Sequence, residues 1–146
     1  MFSKILVPLD GSTFSETVLP HANALAQATG AQVILLRVIP TPIHNLVFAN
    51  SSMPLEPNPE YDARTIAEGY LQRTRAEYFT GADNVQAEVS GGATADVILE
   101  FAAGQDVDLI AMTTHGRSGI SRVMLGSVAE EIMQRSHLPV LLVRPA

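Results

Sequence analysis

The stretch Val33 to Ile39, VILLRVI, is apolar on consecutive residues rather than on alternate ones. A strand so patterned has to be covered on both faces, which a parallel sheet between two layers of helices provides. Ile5 to Leu9 (ILVPL), Asp106 to Met112 (DVDLIAM) and Val140 to Val143 (VLLV) have the same character. Val85 to Val89 alternates apolar with polar and reads as a more exposed strand.

The intervening segments carry helical spacing. Thr13 and Glu16 form a capping-box pattern ahead of a helix running to Ala28 and stopped by Gly30, with Pro20 inside it as an expected kink. Glu60 to Phe79, Thr94 to Ala103 and Ser127 to Arg135 are the other three helices, with Val97, Ile98 and Phe101 marking an apolar stripe on the second of them. The order is βαβαβαβαβ. At 146 residues the chain has the usual size of one domain. The expectation is therefore a single doubly wound α/β domain over 1–146, Rossmann-like, with a five-stranded, mainly parallel sheet and helices on both faces. In such sheets ligands bind beyond the carboxyl ends of the strands where the strand order reverses, which directs attention to the loops after Leu9, Ile39 and Met112.

Pro40 to Pro59 holds five prolines and no apolar period, so it reads as a long loop, either a lid or a surface excursion. The net charge of -6, with Lys4 the only lysine, argues against a nucleic-acid or anionic-membrane partner. The chain has no cysteine, no basic-then-apolar leader and no run long enough to span a bilayer, so a cytoplasmic protein is expected.

The loop after the fourth strand reads Thr113-Thr114-His115-Gly116-Arg117-Ser118-Gly119, and Gly126-Ser127 opens the next helix. Glycines admit a ligand close to backbone N–H groups, and a helix N-terminus adds unpaired donors with partial positive charge, an environment that suits phosphate. Arg117, Ser118 and Ser127 contribute further donors. The same residues also fit a plainer role, since Ser127 with Glu130 is a capping box and the glycines serve turns. Neither a Walker loop nor the dinucleotide fingerprint is present. His115 reads as a loop histidine bonded to backbone. His21, His44 and His137 are scattered without metal-ligand spacing, so any metal is expected as Mg²⁺ arriving with phosphates.

Over essentially its whole length the chain resembles a universal stress protein of the UspA family: ILVPLDGS at the start, LLRVIP along the second strand, THGRSG followed by Gly126-Ser127, and LPVLLVRP at the end. ATP-binding members of that family carry glycine, two residues, glycine, nine residues, then glycine with Ser or Thr. Gly116, Gly126 and Ser127 match the later part, and Thr113 stands where the first glycine would be. The resemblance implies a fold of the adenine nucleotide alpha hydrolase kind and an adenine nucleotide, ATP or a relative, as ligand. It places Asp10 on the ribose or the metal-phosphate region and the backbone of Val38 on the adenine edge. Gly116, Arg117, Ser118, Gly119, Gly126, Ser127 and Val128 would surround ribose and phosphates. Pro8, Leu9, Met112, Thr113, Thr114 and His115 complete the candidate set at the strand ends. It also implies a homodimer through the edge strand Val140 to Val143, since exposed edges are paired or covered; the chain end Arg144-Pro145 is the alternative cover.

Three functions follow as expectations. The first is a nucleotide-binding stress sensor or regulator acting through a dimer, with no catalytic residue, since no nucleophile-base pair is evident. The second is a dimeric stress scaffold without nucleotide, kept open by Thr113. The third is a slow ATP hydrolase or phosphoryl-transfer enzyme using Mg²⁺ and Arg117.

Overall fold

A computed structural model describes residues 1–40, 59–114 and 126–145. The chain forms β1 (Lys4–Leu9), a 3-10 turn (Ser15–Val18), α1 (Leu19–Thr29), β2 (Gln32–Ile39), α2 (Pro59–Tyr78), β3 (Val85–Gly91), α3 (Thr94–Gly104), β4 (Leu109–Thr113), α4 (Ser127–Arg135) and β5 (Val140–Val143). The segment at 41–58, which the sequence reads as a proline-rich loop, lies outside the described residues.

All five strands are parallel, in the order β3-β2-β1-β4-β5. The chain walks outward from β1 through β2 to β3, then returns by α3 to the other side of β1. The order therefore reverses between β1 and β4, the position at which doubly wound sheets open a crevice. The side chains divide by the two-residue period of a strand. Ile5, Val7, Val33, Leu35, Leu109 and Ala111 pack beneath α1 and α2 with Leu19, Ala22 and Leu71. Leu6, Ile34, Leu36, Ile110 and Met112 pack beneath α3 and α4 with Ile98, Ala102 and Ile132. Each large aliphatic side chain buried this way contributes about 1.5–3 kcal/mol. That two-sided cover is why the strand sequences show no alternation. β3, at one edge, does alternate, with Gln86 and Glu88 exposed, and Arg64 Nη2 from α2 donates to the Val89 carbonyl at 3.3 Å.

Three local expectations are corrected. The Thr13–Glu16 capping box does not form: the 3-10 turn starts after Phe14 with no side-chain cap. Its following helix begins at Leu19, which puts Pro20 in the first turn, where its missing N–H and fixed φ cost little and no kink is required. The fourth strand starts at Leu109 rather than Asp106, because Asp106 takes φ 55 and the carboxylate of Asp108 turns back to Ser3 and Lys4. Gly30 ends α1 as expected, with φ 75 and its N–H on Ala26 O at 2.8 Å.

Candidate functional site

At the carboxyl ends of β1, β2 and β4 lies a cleft of about 600 Å³, within the size range of small-molecule sites. Its first wall is the turn after β1. Asp10 Oδ1 accepts from the N–H of Ser12 at 2.8 Å and from its hydroxyl at 2.5 Å. The Ser15 hydroxyl accepts from Asp10 N–H at 3.4 Å and donates to Ser12 O at 2.8 Å. Gly11 between them takes φ 89, a left-handed backbone that favours glycine. Partial burial pushes the Asp10 carboxyl up, but the hydrogen bonds from Ser12 and Ser15 and the Arg37 charge outweigh it and hold the group below the usual carboxylate range. The carboxylate thus stays ionised near neutral pH.

The second wall is the end of β2, from Leu36 through Val38 to Pro40. The Val38 side chain is buried, and the Arg37 guanidinium donates through Nη1 to the Val38 carbonyl. Beyond β3, the Gly92 N–H bonds Ile39 O at 3.0 Å, and Thr94 at the start of α3 enters the cleft.

The third wall joins β4 to α4. Met112 and Thr113 reach the cleft from the strand. The Thr113 hydroxyl accepts from Val18 N–H at 3.1 Å and donates to Ser15 O at 3.0 Å, so it points to the turn before α1, on the sheet face opposite α4. Opposite, α4 opens at Gly126 with φ -60, ψ 158 and, among the described residues, no side-chain cap. The plainer alternative, a Ser127–Glu130 capping box, does not form, because Ser127 is already the first helical residue. Gly126, Ser127 and Val128 all line the cleft, and an uncapped helix start directs N–H groups and partial positive charge into it.

Of the residues singled out in the sequence, Pro8, Leu9, Asp10, Val38, Met112, Thr113, Gly126, Ser127 and Val128 come together around this space. Thr114 does not: it is buried, with its N–H on Val143 O at 2.8 Å, and serves the pairing of β4 with β5. His115, Gly116, Arg117, Ser118 and Gly119 lie outside the described residues. Arg37, Ser12, Ser15 and Thr94 line the cleft without having been anticipated. The signal for Arg37 is its charge within an otherwise apolar strand. That for Ser12 is its place two residues after Asp10, the spacing of a turn in which a carboxylate holds its own backbone.

A five-stranded parallel sheet ordered 3-2-1-4-5, with a crevice at its reversal and a helix start facing it, defines the class of doubly wound α/β domains. Within that class, the model of the "Universal stress protein family" matches residues 1–144, and the chain belongs to this family. It is 34% identical to the universal stress protein YxiE of Bacillus subtilis, covering 99% of this chain and 100% of that protein. It is 31% identical to the universal stress protein MJ0531 of Methanocaldococcus jannaschii, covering 99% and 83% respectively. The solved structure of MJ0577 from the same organism superimposes with a TM-score of 0.81 at 28% identity, over 100% of this chain and 98% of that one. A universal stress protein solved in complex with cAMP shares the fold, with a TM-score of 0.68 at 24% identity over 99% and 98% of the two chains.

Proposed function

We propose that this chain binds an adenine nucleotide, ATP or a close relative with Mg²⁺ carried on its phosphates, and that occupancy biases a homodimer joined through β5 in a regulatory stress response. The observation that carries this reading is the start of α4, where Gly126, Ser127 and Val128 enter the cleft without a capping side chain. Such a terminus is matched to phosphate oxygens. Opposite it, Asp10 suits ribose hydroxyls or the metal-phosphate region, and the backbone of Val38 suits the base edge. The cleft has room for one nucleotide. Relatives by fold give further support, one solved with cAMP and one from Archaeoglobus fulgidus with dAMP.

Regulation is favoured over turnover by the state of Asp10. The carboxylate that Ser12 and Ser15 stabilise as an anion is a weak base, so it is poorly suited to activating a water or hydroxyl at neutral pH. The scaffold reading draws on Thr113, which departs from the glycine pattern of nucleotide-binding members. Its hydroxyl bonds Val18 and Ser15, away from α4, so this departure does not by itself argue against a phosphate there.

The dimer part rests on β5, an apolar edge strand whose four residues are all only half-buried. Chromatography and mass spectrometry of the supernatant from denatured protein should identify an adenine nucleotide, and ATP titration of the emptied protein should give a binding isotherm. A clean supernatant together with a flat titration would remove the proposal. Sedimentation at micromolar concentration should give twice the chain mass, and a monomer there would remove its dimeric part alone.

A further inference from the structure

Val38 stands one residue past the last pair of the β1–β2 ladder, Leu9 with Arg37. Gly92 donates to Ile39 O, so the Ile39 carbonyl faces β3. By the alternation of a strand, the Val38 carbonyl faces the opposite way, toward β1, where the ladder has ended. The donor that meets it is Arg37 Nη1, from the adjacent residue. The guanidinium therefore lies across the cleft end of β2, with Nε 3.8 Å from the point where a Cβ on Gly11 would stand. Among the described residues this is its one hydrogen bond, and it is the one cationic side chain lining the cleft.

We propose that Arg37 sets the purine preference of the cleft: it competes with the 6-amino group of adenine for the Val38 carbonyl and offers its other N–H groups to a 6-oxo group. This rests on the nucleotide reading above. A guanidinium only donates, and so does an exocyclic amino group towards that carbonyl, so an adenine on the Val38 edge has to share or displace the arginine. A 6-oxo purine presents an acceptor at the same place, and the pairing of an arginine fork with O6 and N7 of such a base is geometrically favoured. On that reading, a cleft in which the Val38 backbone meets the base edge is made permissive to inosine and guanosine nucleotides by one side chain.

ATP and ITP differ at this edge of the base and carry the same phosphates, so their affinity ratio isolates it. Calorimetric titration of the full chain should give wild-type affinities for the two within about threefold. R37M should shift the ratio toward ATP by roughly tenfold, the scale of one charge-assisted hydrogen bond. Loss of the cationic charge weakens both triphosphates alike and leaves the ratio untouched. R37K, which keeps the charge but loses the planar fork, should shift the ratio in the same direction. Binding of both nucleotides with a ratio constant within twofold across the three proteins, or shifted toward ITP, would overturn the role of Arg37 alone. If ATP and ITP both fail to bind all three proteins, the nucleotide reading falls and this proposal with it; ATP binding to wild type without ITP binding would overturn the role of Arg37 alone.

Discussion

The hydroxyl of Thr113, at the carboxyl end of β4, accepts the backbone N–H of Val18 at 3.1 Å, ninety-five residues earlier in the chain. With its second bond, to Ser15 O, it fastens the turn before α1 to the sheet. Thr113→Val keeps the shape and leaves both backbone groups without their partner, at a cost of about 2 kcal/mol. For a chain of this size that corresponds to a fall of roughly 4–8 °C in Tm. Thr113→Ser should melt within about 2 °C of wild type. Equal melting of the valine variant and wild type in a calorimetric scan would show the two bonds to be inconsequential.

Gly126 has an extended backbone, φ -60 and ψ 158, open to any residue. Gly126→Val should therefore fold as wild type does while placing a branched side chain at the entrance to the α4 N–H groups. The expected result is at least a tenfold loss of ATP affinity by calorimetry, with a thermal melt shifted by no more than about 2 °C. Unaltered affinity would mean that phosphates do not approach α4.

Gly92 takes φ 136, and a Cβ built there would stand 2.9 Å from Val97 Cγ2. Gly92→Ala combines backbone strain with a steric clash and should cost about 2–3 kcal/mol. Adding Val97→Ala relieves the clash but not the strain. In urea unfolding the double variant should thus be more stable than the sum of the two single losses predicts. Simple additivity would contradict the contact.

Asp108 receives Ser3 N–H and the Ser3 hydroxyl, each at 2.7 Å, and Lys4 N–H at 3.0 Å. Burial pushes this carboxyl up, and the bonds from Ser3 and Lys4 more than offset it, so its pKa lies below the ordinary value. A carboxylate depressed on folding stabilises the protein fully above its unfolded pKa of about 4, and that contribution disappears as pH falls through the folded value. Asp108→Asn should cost about 1 kcal/mol at neutral pH, a figure reduced for solvent screening. The gap between variant and wild type should close as the pH falls below the unfolded value and through the lower folded one. A gap that widens in acid would reverse the assigned sign.

The strands were legible because their cover on both faces leaves a direct trace, consecutive apolar residues such as those from Val33 to Leu36. Their alternation with helices, and the helix starting at Ser127, followed from apolar spacing and glycine placement; the sheet order β3-β2-β1-β4-β5 did not, since it depends on which strands pair in space. The capping-box pattern at Thr13–Glu16 does not form a cap, since a local pattern does not reveal where a side chain finds a better partner. Glu16 accepts instead from the Tyr70 hydroxyl at 3.2 Å, a contact set by the packing of α2 and invisible to any short window. Asp108 was read as part of a strand for the same reason: its partners lie at the far end of the sequence. In the cleft, Asp10 and the Gly126–Ser127 pair announce themselves by residue type. Arg37 shows only as a lone charge in an apolar strand and Thr94 not at all, because a residue becomes a wall of the site only when neighbouring strands align, as Leu9 does with Arg37.

The sheet acts as a partition between two separately packed aliphatic layers. Leu36, Val38, Ile98, Met112 and Ala129, which supply most of the apolar floor of the cleft, all belong to the layer under α3 and α4. Volume lost in that layer weakens folding and reshapes the cleft together. Equivalent damage beneath α1 and α2 is felt mainly as instability, so the two halves of this small molecule have unequal freedom to vary.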